Sequence, residues 1–358
     1  MTEGPAVLPS RSRPAMRRLR ERRFAMIPIL ELTLLVIFTL LPMVLADYLT
    51  VFVTRVLIFA LLAISFDLVW GYAGIMSFGQ ALFFGTAGYT VALLARDLQI
   101  TSIFIVIPLS IFIGLGLSFL LASFLLLGRY APTTIFVALG TLTGSYAADR
   151  LARGWYYLGG QNGIPSIPSM TAGSYEFTEG PVFYYLAFAT LVLVYLLCRF
   201  LVRSQFGLAL AGMREQESRI LFFGYRVQHL KAMVFSLSGA IAGLAGGLYA
   251  FHEGFVWPNV LGVVLSTQIV LYALFGGVGT LIGAVIGVIA IETVSFWLAD
   301  NYQDIWPILL GLLLLLVILF RPSGLISLIV SERERIGRFG RPGESSDHGR
   351  QGDNGAAA

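Results

Sequence analysis

Charged residues are scarce in this sequence. They make up 12% of the 358 residues, while hydrophobic residues make up 57%, and a soluble domain usually carries about 25% charged residues. This deficit excludes an ordinary soluble protein. The apolar runs continue for roughly 20 residues without the polar alternation of a β-barrel strand. The sequence therefore predicts an all-α integral membrane protein.

Cysteine and histidine are also rare. The single cysteine, Cys198, permits no disulfide within the chain and no cysteine-based metal site, and we interpret it as a small buried side chain. The three histidines, His229, His252 and His348, are scattered along the chain. The sequence predicts no cofactor, no metal site and no catalytic group of side chains, so we do not expect an enzyme.

Lysine occurs once, at Lys231, and Leu230 precedes it. The Gly-Lys pair of a phosphate-binding P-loop is therefore missing, and so is the G-x-S-x-G motif of a serine hydrolase. The chain is not predicted to hydrolyse nucleotide by a P-loop mechanism. If it transports a solute, the energy must come from an ion gradient or from another subunit.

The hydropathy pattern predicts ten membrane segments. They cover residues 24–46, 50–70, 75–95, 102–128, 131–149, 182–202, 232–252, 264–281, 282–299 and 305–320. Several of them are short or rich in glycine. Eight full spans with additional re-entrant pieces are therefore an alternative.

The distribution of arginine predicts the orientation. Seven arginines lie in residues 1–23, and the apolar run that follows is too long for a signal peptide, so we interpret it as an uncleaved first helix. Six basic residues lie in residues 199–231, which we call the polar island, whereas the loops at 253–263 and 300–304 hold acidic residues and no basic ones. The positive-inside rule then places both termini and the polar island in the cytoplasm.

The predicted domain organisation has three parts. A basic cytoplasmic tail (1–23) precedes a membrane domain (24–327), and a charged, glycine-rich tail (328–358) is predicted to be disordered. Within the membrane domain, residues 150–181 form an external loop whose glycines and prolines argue against a regular helix. Residues 203–231 form a cytoplasmic loop.

The cytoplasmic loop is predicted to contain a short helix. Over residues 213–224, charged residues come first and apolar residues follow. Gly224 is a suitable residue to end such a helix. The apolar end of this helix would fit a groove on a partner.

Glycine interrupts the apolar sequence twice, in opposite halves of the chain. We call residues 71–80 the first glycine break and residues 276–283 the second. Paired interruptions indicate a transporter built from two structural repeats, whose unwound backbone lines a cavity or is buried in protein. The residues predicted to line the translocation pathway are Gly71, Gly74, Ser77, Gly79, Gln80, Gly85, Gly276, Gly277, Gly279 and Thr280. The alternative is that these glycines only pack helices, which is our interpretation of the small-residue run at 239–247.

Four ionisable residues lie within the apolar segments: Glu31, Arg55, Asp67 and Glu292. Glu31 and Asp67 lie toward segment ends, which predicts an interfacial or packing role. Glu292 lies deeper and is the residue that fits the buried carboxylate of a proton-coupled carrier.

Several short motifs are spread along the chain. The polar island holds GLAL at 207–210, Arg214-Glu215-x-Glu217, and Gly224. The other motifs are GYAG at 71–74, SFG at 77–79, GLAG at 243–246, GGVGTLIG at 276–283 and FRPSGL at 320–325. Together they resemble the permease subunits of branched-chain amino-acid ABC transporters, the LivM type, over roughly residues 25–327.

The resemblance implies a definite assembly. A permease of this family pairs with a second, homologous permease subunit in the bacterial inner membrane, receives solute from a periplasmic binding protein, and is driven by two ABC ATPase subunits. It implies that ATPase coupling involves Arg214, Glu215, Glu217 and Gly224. It also implies branched-chain or related amino acids as cargo, with urea, amides or aromatic acids as the alternative.

The sequence departs from the family pattern in three places. Residues 218–223 include a charge and two phenylalanines where the family has small residues, Ala284 stands where proline is frequent, and Gln80 stands where histidine is frequent. Two other functions are alternatives. One is a secondary carrier driven by an ion gradient, with Glu292 as its pathway carboxylate. The other is a membrane assembly subunit whose polar island only fixes the topology.

Overall fold

The computed structural model describes residues 26–128, 134–178, 180–302 and 324–328, with isolated positions between 305 and 319. The predicted tail at 1–23, nearly all of the tail at 328–358 and much of the predicted segment at 305–320 lie outside the described residues.

The described part of the chain is mostly helical. Its α-helices are α1 Met26–Leu40, α2 Asp47–Asp67, α3 Gln80–Leu98, α4 Ile103–Leu125, α5 Thr134–Gly154, α6 Pro181–Arg203, α7 Gln205–Glu215, α8 Glu217–Phe222, α9 Val227–Glu253, α10 Val263–Gly276 and α11 Ile282–Asn301. A turn of π-helix, Leu68–Tyr72, extends α2. Short 3-10 turns lie at Leu41–Met43, Tyr156–Leu158, Gly160–Asn162, Pro258–Leu261 and Leu325–Leu328.

Five helices are long and apolar enough to cross a membrane: α2 with its extension, α4, α6, α9 and α11. The segments Pro28–Met43 and Val263–Gly276 are apolar but shorter. The helical membrane fold is thereby confirmed, while the number of full spans and the two-repeat architecture stay predictions.

Helix α9 lies at the centre of the bundle. In the most apolar stretch of α9, 94% of the residues are buried, whereas in that of α4 only 22% are buried. Close packing requires glycine on α9. A Cβ added at Gly243 would lie 2.4 Å from the carbonyl oxygen of Ser110 on α4. A Cβ added at Gly246 would lie 1.9 Å from the carbonyl oxygen of Phe84 on α3. The packing role predicted for residues 239–247 is confirmed.

The outer surfaces of α4 and α6 are strongly apolar. Their exposed side chains include Phe112, Phe124, Leu193 and Phe200. Such surfaces suit hydrocarbon rather than water. These two helices therefore lie at the periphery of the bundle.

The loop before α6 contains the only described strands. Strand β1 (Met170–Ala172) pairs antiparallel with β2 (Tyr175–Phe177), and Gly173 between them has φ +65°. The all-α prediction missed this hairpin because a three-residue strand is too short to show a periodicity of two. Helix α6 has 23 residues and is about 35 Å long, so this hairpin and the polar island lie at opposite ends of the bundle.

Tyr157 attaches the hairpin end of the chain to α3. Its hydroxyl donates to Asp97 at 2.6 Å, and the Arg96 guanidinium lies 5.1 Å from its ring centroid. The hydrogen bond to Asp97 raises the pKa of the Tyr157 phenol, because ionisation would remove the donated proton and place two negative charges together.

Candidate functional site

The polar island folds into two helices that meet at Gln216. The Ser204 side chain begins α7 by accepting a hydrogen bond from the backbone N–H of Phe206 at 3.2 Å. Gln216 ends α7 with an extended backbone (φ −149°, ψ 96°), and α8 starts at the next residue. The short helix predicted over 213–224 is therefore present as α8, but it begins at Glu217, and residues 213–215 belong to α7.

Small residues on α7 explain why the chain turns at Gln216. A Cβ added at Gly212 would lie 2.7 Å from Cδ1 of Ile220, so the missing side chain lets α8 pack closely against α7. Gly224 follows the C-cap of α8 with φ +83°, the left-handed conformation that favours glycine at this position.

Helix α8 is fixed to α9 by an ion pair. Nζ of Lys231, the only lysine in the chain, lies 2.8 Å from Oε2 of Glu217. Its neighbour Glu215 is exposed. Of the two glutamates assigned to coupling, Glu217 therefore holds the loop in place and Glu215 faces outward.

The end of α8 presents exposed aromatic side chains. Phe222 is 90% exposed and Phe223 77% exposed, and Tyr225 follows with about half of its surface accessible. We call these three residues the aromatic tip. Exposed apolar patches of this kind are frequent at interaction sites.

The first glycine break is a buried, non-helical segment between the end of the π-turn and Gln80. The helix predicted to begin at residue 75 begins five residues later, at Gln80. Side chains from three other helices satisfy the backbone and polar groups that the break leaves unpaired, as unwound backbone inside a membrane protein requires.

The hydrogen bonds of the first break are specific. Thr141 of α5 accepts from the backbone N–H of Phe78 at 3.0 Å, and Ser266 of α10 donates to the carbonyl oxygen of the same residue at 2.8 Å. Gln80 donates to Ser238 of α9 at 2.8 Å. In this conformation these polar groups of the first glycine break are paired with side chains inside the protein.

The remaining residues predicted in the first half of the pathway are also buried. Ser77 donates to the Gln80 side chain at 3.1 Å and accepts from the Gly79 backbone at 3.1 Å. A Cβ added at Gly85 would lie 2.6 Å from the Leu261 side chain. Their part in translocation stays a prediction.

The second glycine break separates α10 from α11. Helix α10 ends at Gly276, whereas the predicted membrane segment continues to residue 281. A Cβ added at Gly276 would lie 1.8 Å from the carbonyl oxygen of Gly283, so the two helices approach closely. Thr280 caps the start of α11: its hydroxyl donates to the Gly277 carbonyl at 2.8 Å and accepts from Gly283 N–H at 3.1 Å.

Asp67 holds the second break from a distant helix. This residue is fully buried at the end of α2, and its carboxylate accepts backbone N–H groups from Gly279 at 2.6 Å, Thr280 at 3.2 Å and Leu281 at 2.8 Å. The packing role predicted for Asp67 is thus confirmed. Its partners were not predicted, because they lie more than 200 residues away in the sequence.

The two breaks meet, and Arg214 contacts both. A Cβ added at Gly71 would lie 2.6 Å from the Gly279 nitrogen. Nη1 of Arg214 donates to the Gly71 carbonyl oxygen. The same nitrogen would lie 3.3 Å from a Cβ added at Gly279, and Cγ of Arg214 would lie 3.1 Å from a Cβ added at Gly74. We call this contact of Gly71, Gly279 and Arg214 the junction.

Two other intramembrane carboxylates have partners. Glu292 is buried and accepts from the Tyr272 hydroxyl and from Gln268 at 3.1 Å. Glu31 pairs with Arg199 and accepts from the Tyr195 hydroxyl at 2.5 Å. Glu31, Tyr195 and Arg199 are among the residues that line a largely apolar cavity of about 290 Å³ beside α1 and α6.

Comparison with known proteins identifies permease proteins of transport systems as relatives. The chain is 26% identical over 296 residues to the high-affinity branched-chain amino acid transport system permease protein LivM of Salmonella typhimurium, covering 76% of this chain and 68% of that one. It is 27% identical over 314 residues to a probable LivM permease of Methanocaldococcus jannaschii, covering 75% and 90%. It is 24% identical over 281 residues to the BraD permease of Pseudomonas aeruginosa, covering 75% and 91%. No solved structure matches the chain.

The family match covers more than half of the sequence. Residues 48–318 match the family described as the permease component of the branched-chain amino acid transport system. Together with the apolar helices, this match indicates a multi-pass protein of the bacterial inner membrane. The chain belongs to the family of branched-chain amino acid transport system permease components.

Proposed function

We propose that this chain is one of two homologous permease subunits of an ABC importer for branched-chain or related amino acids, and that the polar island receives the ATPase subunits. The observation that carries the proposal is the aromatic tip. It projects from a short helix at one end of a membrane bundle whose sequence has no P-loop of its own.

The orientation follows from the same proposal. The polar island is the most basic internal segment of the chain, which favours the cytoplasmic side. The hairpin end would then face the periplasm and the substrate-binding protein. The two glycine breaks, in opposite halves of the chain and both followed by a helix, support a permease built from two structural repeats.

The driving force of uptake tests the proposal directly. The chain is reconstituted in proteoliposomes with its second permease and ATPase subunits, and uptake of radiolabelled leucine is measured. We expect uptake that requires both internal ATP and the binding protein. Uptake that survives without ATP but collapses with the proton gradient would instead establish the secondary carrier.

Two substitutions test the coupling role of α8. Glu217→Arg replaces the partner of Lys231 with a like charge, and Gly224→Trp forces a large side chain into a backbone with φ +83°. We expect both to uncouple ATP hydrolysis from uptake while the protein still reaches the membrane. Arg226→Gln is the control, because Arg226 is an exposed residue of the same loop to which no coupling role is assigned. Normal uptake in both variants would remove α8 from the coupling pathway.

A further inference from the structure

Arg214 differs from an ordinary docking residue. It is an exposed residue at the end of α7, within the loop proposed to receive the ATPase. Its guanidinium nevertheless turns toward the bundle and donates to the Gly71 carbonyl oxygen. A side chain that only bound a partner would direct its donors outward.

The backbone at the junction leaves no room for independent movement. Added Cβ atoms at Gly71 would lie 2.6 Å and 2.8 Å from the Gly279 nitrogen and Cα, and 2.3 Å from Oδ1 of Asp67. All three distances are below normal contact. Because the two breaks touch without intervening side chains, a shift of one displaces the other.

The second break is held in an unusual conformation. Gly277, Gly279 and Leu281 have φ values of 118°, 82° and 50°, and a positive φ is rare for a residue such as leucine. The Asp67 carboxylate accepts the amides of Gly279 and Leu281 within this stretch. Asp67 therefore fixes the direction in which these amides point.

We infer that Arg214 and Asp67 form a relay that transmits movement of the cytoplasmic loop to both glycine breaks. The inference rests on the proposed function. When ATPase closure moves α7, Arg214 displaces the Gly71 carbonyl, and the contact of Gly71 with Gly279 and Asp67 shifts the start of α11. Arg214 is then a positioning residue for transport and not a docking contact.

The experiment uses the complete importer in proteoliposomes and compares Arg214→Gln, Asp67→Asn and the double variant. Arg226→Gln is the control, because Arg226 is an exposed arginine of the same loop. The measurements are co-purification of the ATPase subunits, ATP hydrolysis with and without solute-loaded binding protein, and uptake.

We expect Arg214→Gln to leave ATPase co-purification unchanged, to abolish the stimulation of hydrolysis by loaded binding protein, and to lower uptake about tenfold, within the range of couplings between distant sites. The double variant should be no worse than the more severe single one, because both act on one relay. The control should match the unmodified importer.

Three results would overturn the relay. Loss of ATPase co-purification in Arg214→Gln would make Arg214 a docking contact. If the losses of uptake in the two single variants multiplied in the double variant, Arg214 and Asp67 would have two separate structural roles. Unchanged uptake in Arg214→Gln would show that Arg214 has no role in transport. Because Arg214 is an exposed residue at the end of α7, its variant gives a result even if Asp67→Asn does not accumulate. An unmodified importer that needs no ATP would refute the proposed function instead.

Discussion

Replacing Phe222 with alanine is expected to weaken ATPase binding by about 30-fold, because a buried aromatic anchor at an interface contributes about 2 kcal/mol. Phe222 is 90% exposed in the isolated chain and lies on a polar loop, so a partner is the way to remove it from water. The double variant Phe222→Ala and Phe223→Ala should leave almost no ATPase bound after purification in detergent.

The control for this prediction is Phe112→Ala. Phe112 is 68% exposed, but it lies in the middle of the membrane helix α4, far from the polar island, where lipid covers it. Its replacement should leave ATPase binding unchanged. If Phe112→Ala and Phe222→Ala gave equal affinities by titration of the ATPase, the aromatic tip would not be the docking surface.

Gly114→Ala is expected to destabilise the bundle by about 1–3 kcal/mol, the usual effect of overpacking. A Cβ at Gly114 on α4 would lie 2.2 Å from the carbonyl oxygen of Gly239 and 2.9 Å from Cα of Gly243 on α9. Backbone atoms do not rotate away as side chains do, so the two helices must separate. The thermal midpoint of the purified protein in detergent measures the loss.

Gly116 provides the matched comparison on the same helix. A Cβ there would meet nothing within 4 Å, and alanine favours a helix over glycine by about 1 kcal/mol. Gly116→Ala should therefore keep or raise the midpoint. Equal midpoints for the two variants would show that α4 and α9 do not pack as closely as the structure has them.

Much of the fold follows from the sequence because membrane helices are defined by uninterrupted apolar length. The glycine breaks were also located correctly, since glycine releases the backbone from helical geometry. Helix ends near the breaks were less accurate. Residues 75–79 are apolar enough for a helix, but the Phe78 backbone instead bonds to the side chains of Thr141 and Ser266 on two distant helices.

The candidate site was predictable in its residues but not in its contacts. Arg214 and the glycines of both breaks were identified from their motifs, in separate roles. Their meeting at the junction depends on packing between distant segments, which no local pattern encodes. Asp67 was missed as a partner of the second break for the same reason, because a lone acidic residue near a helix end does not indicate which amides it binds.

The single lysine of the chain, Lys231, makes the docking loop chemically addressable. An amine-reactive dye finds one lysine side chain in the whole sequence, and that amine lies at the base of α8. A thiol reagent meets only Cys198, which is buried, so a cysteine introduced elsewhere would be the single accessible thiol. Two orthogonal labels can thus be attached to this permease without first removing a native lysine or cysteine.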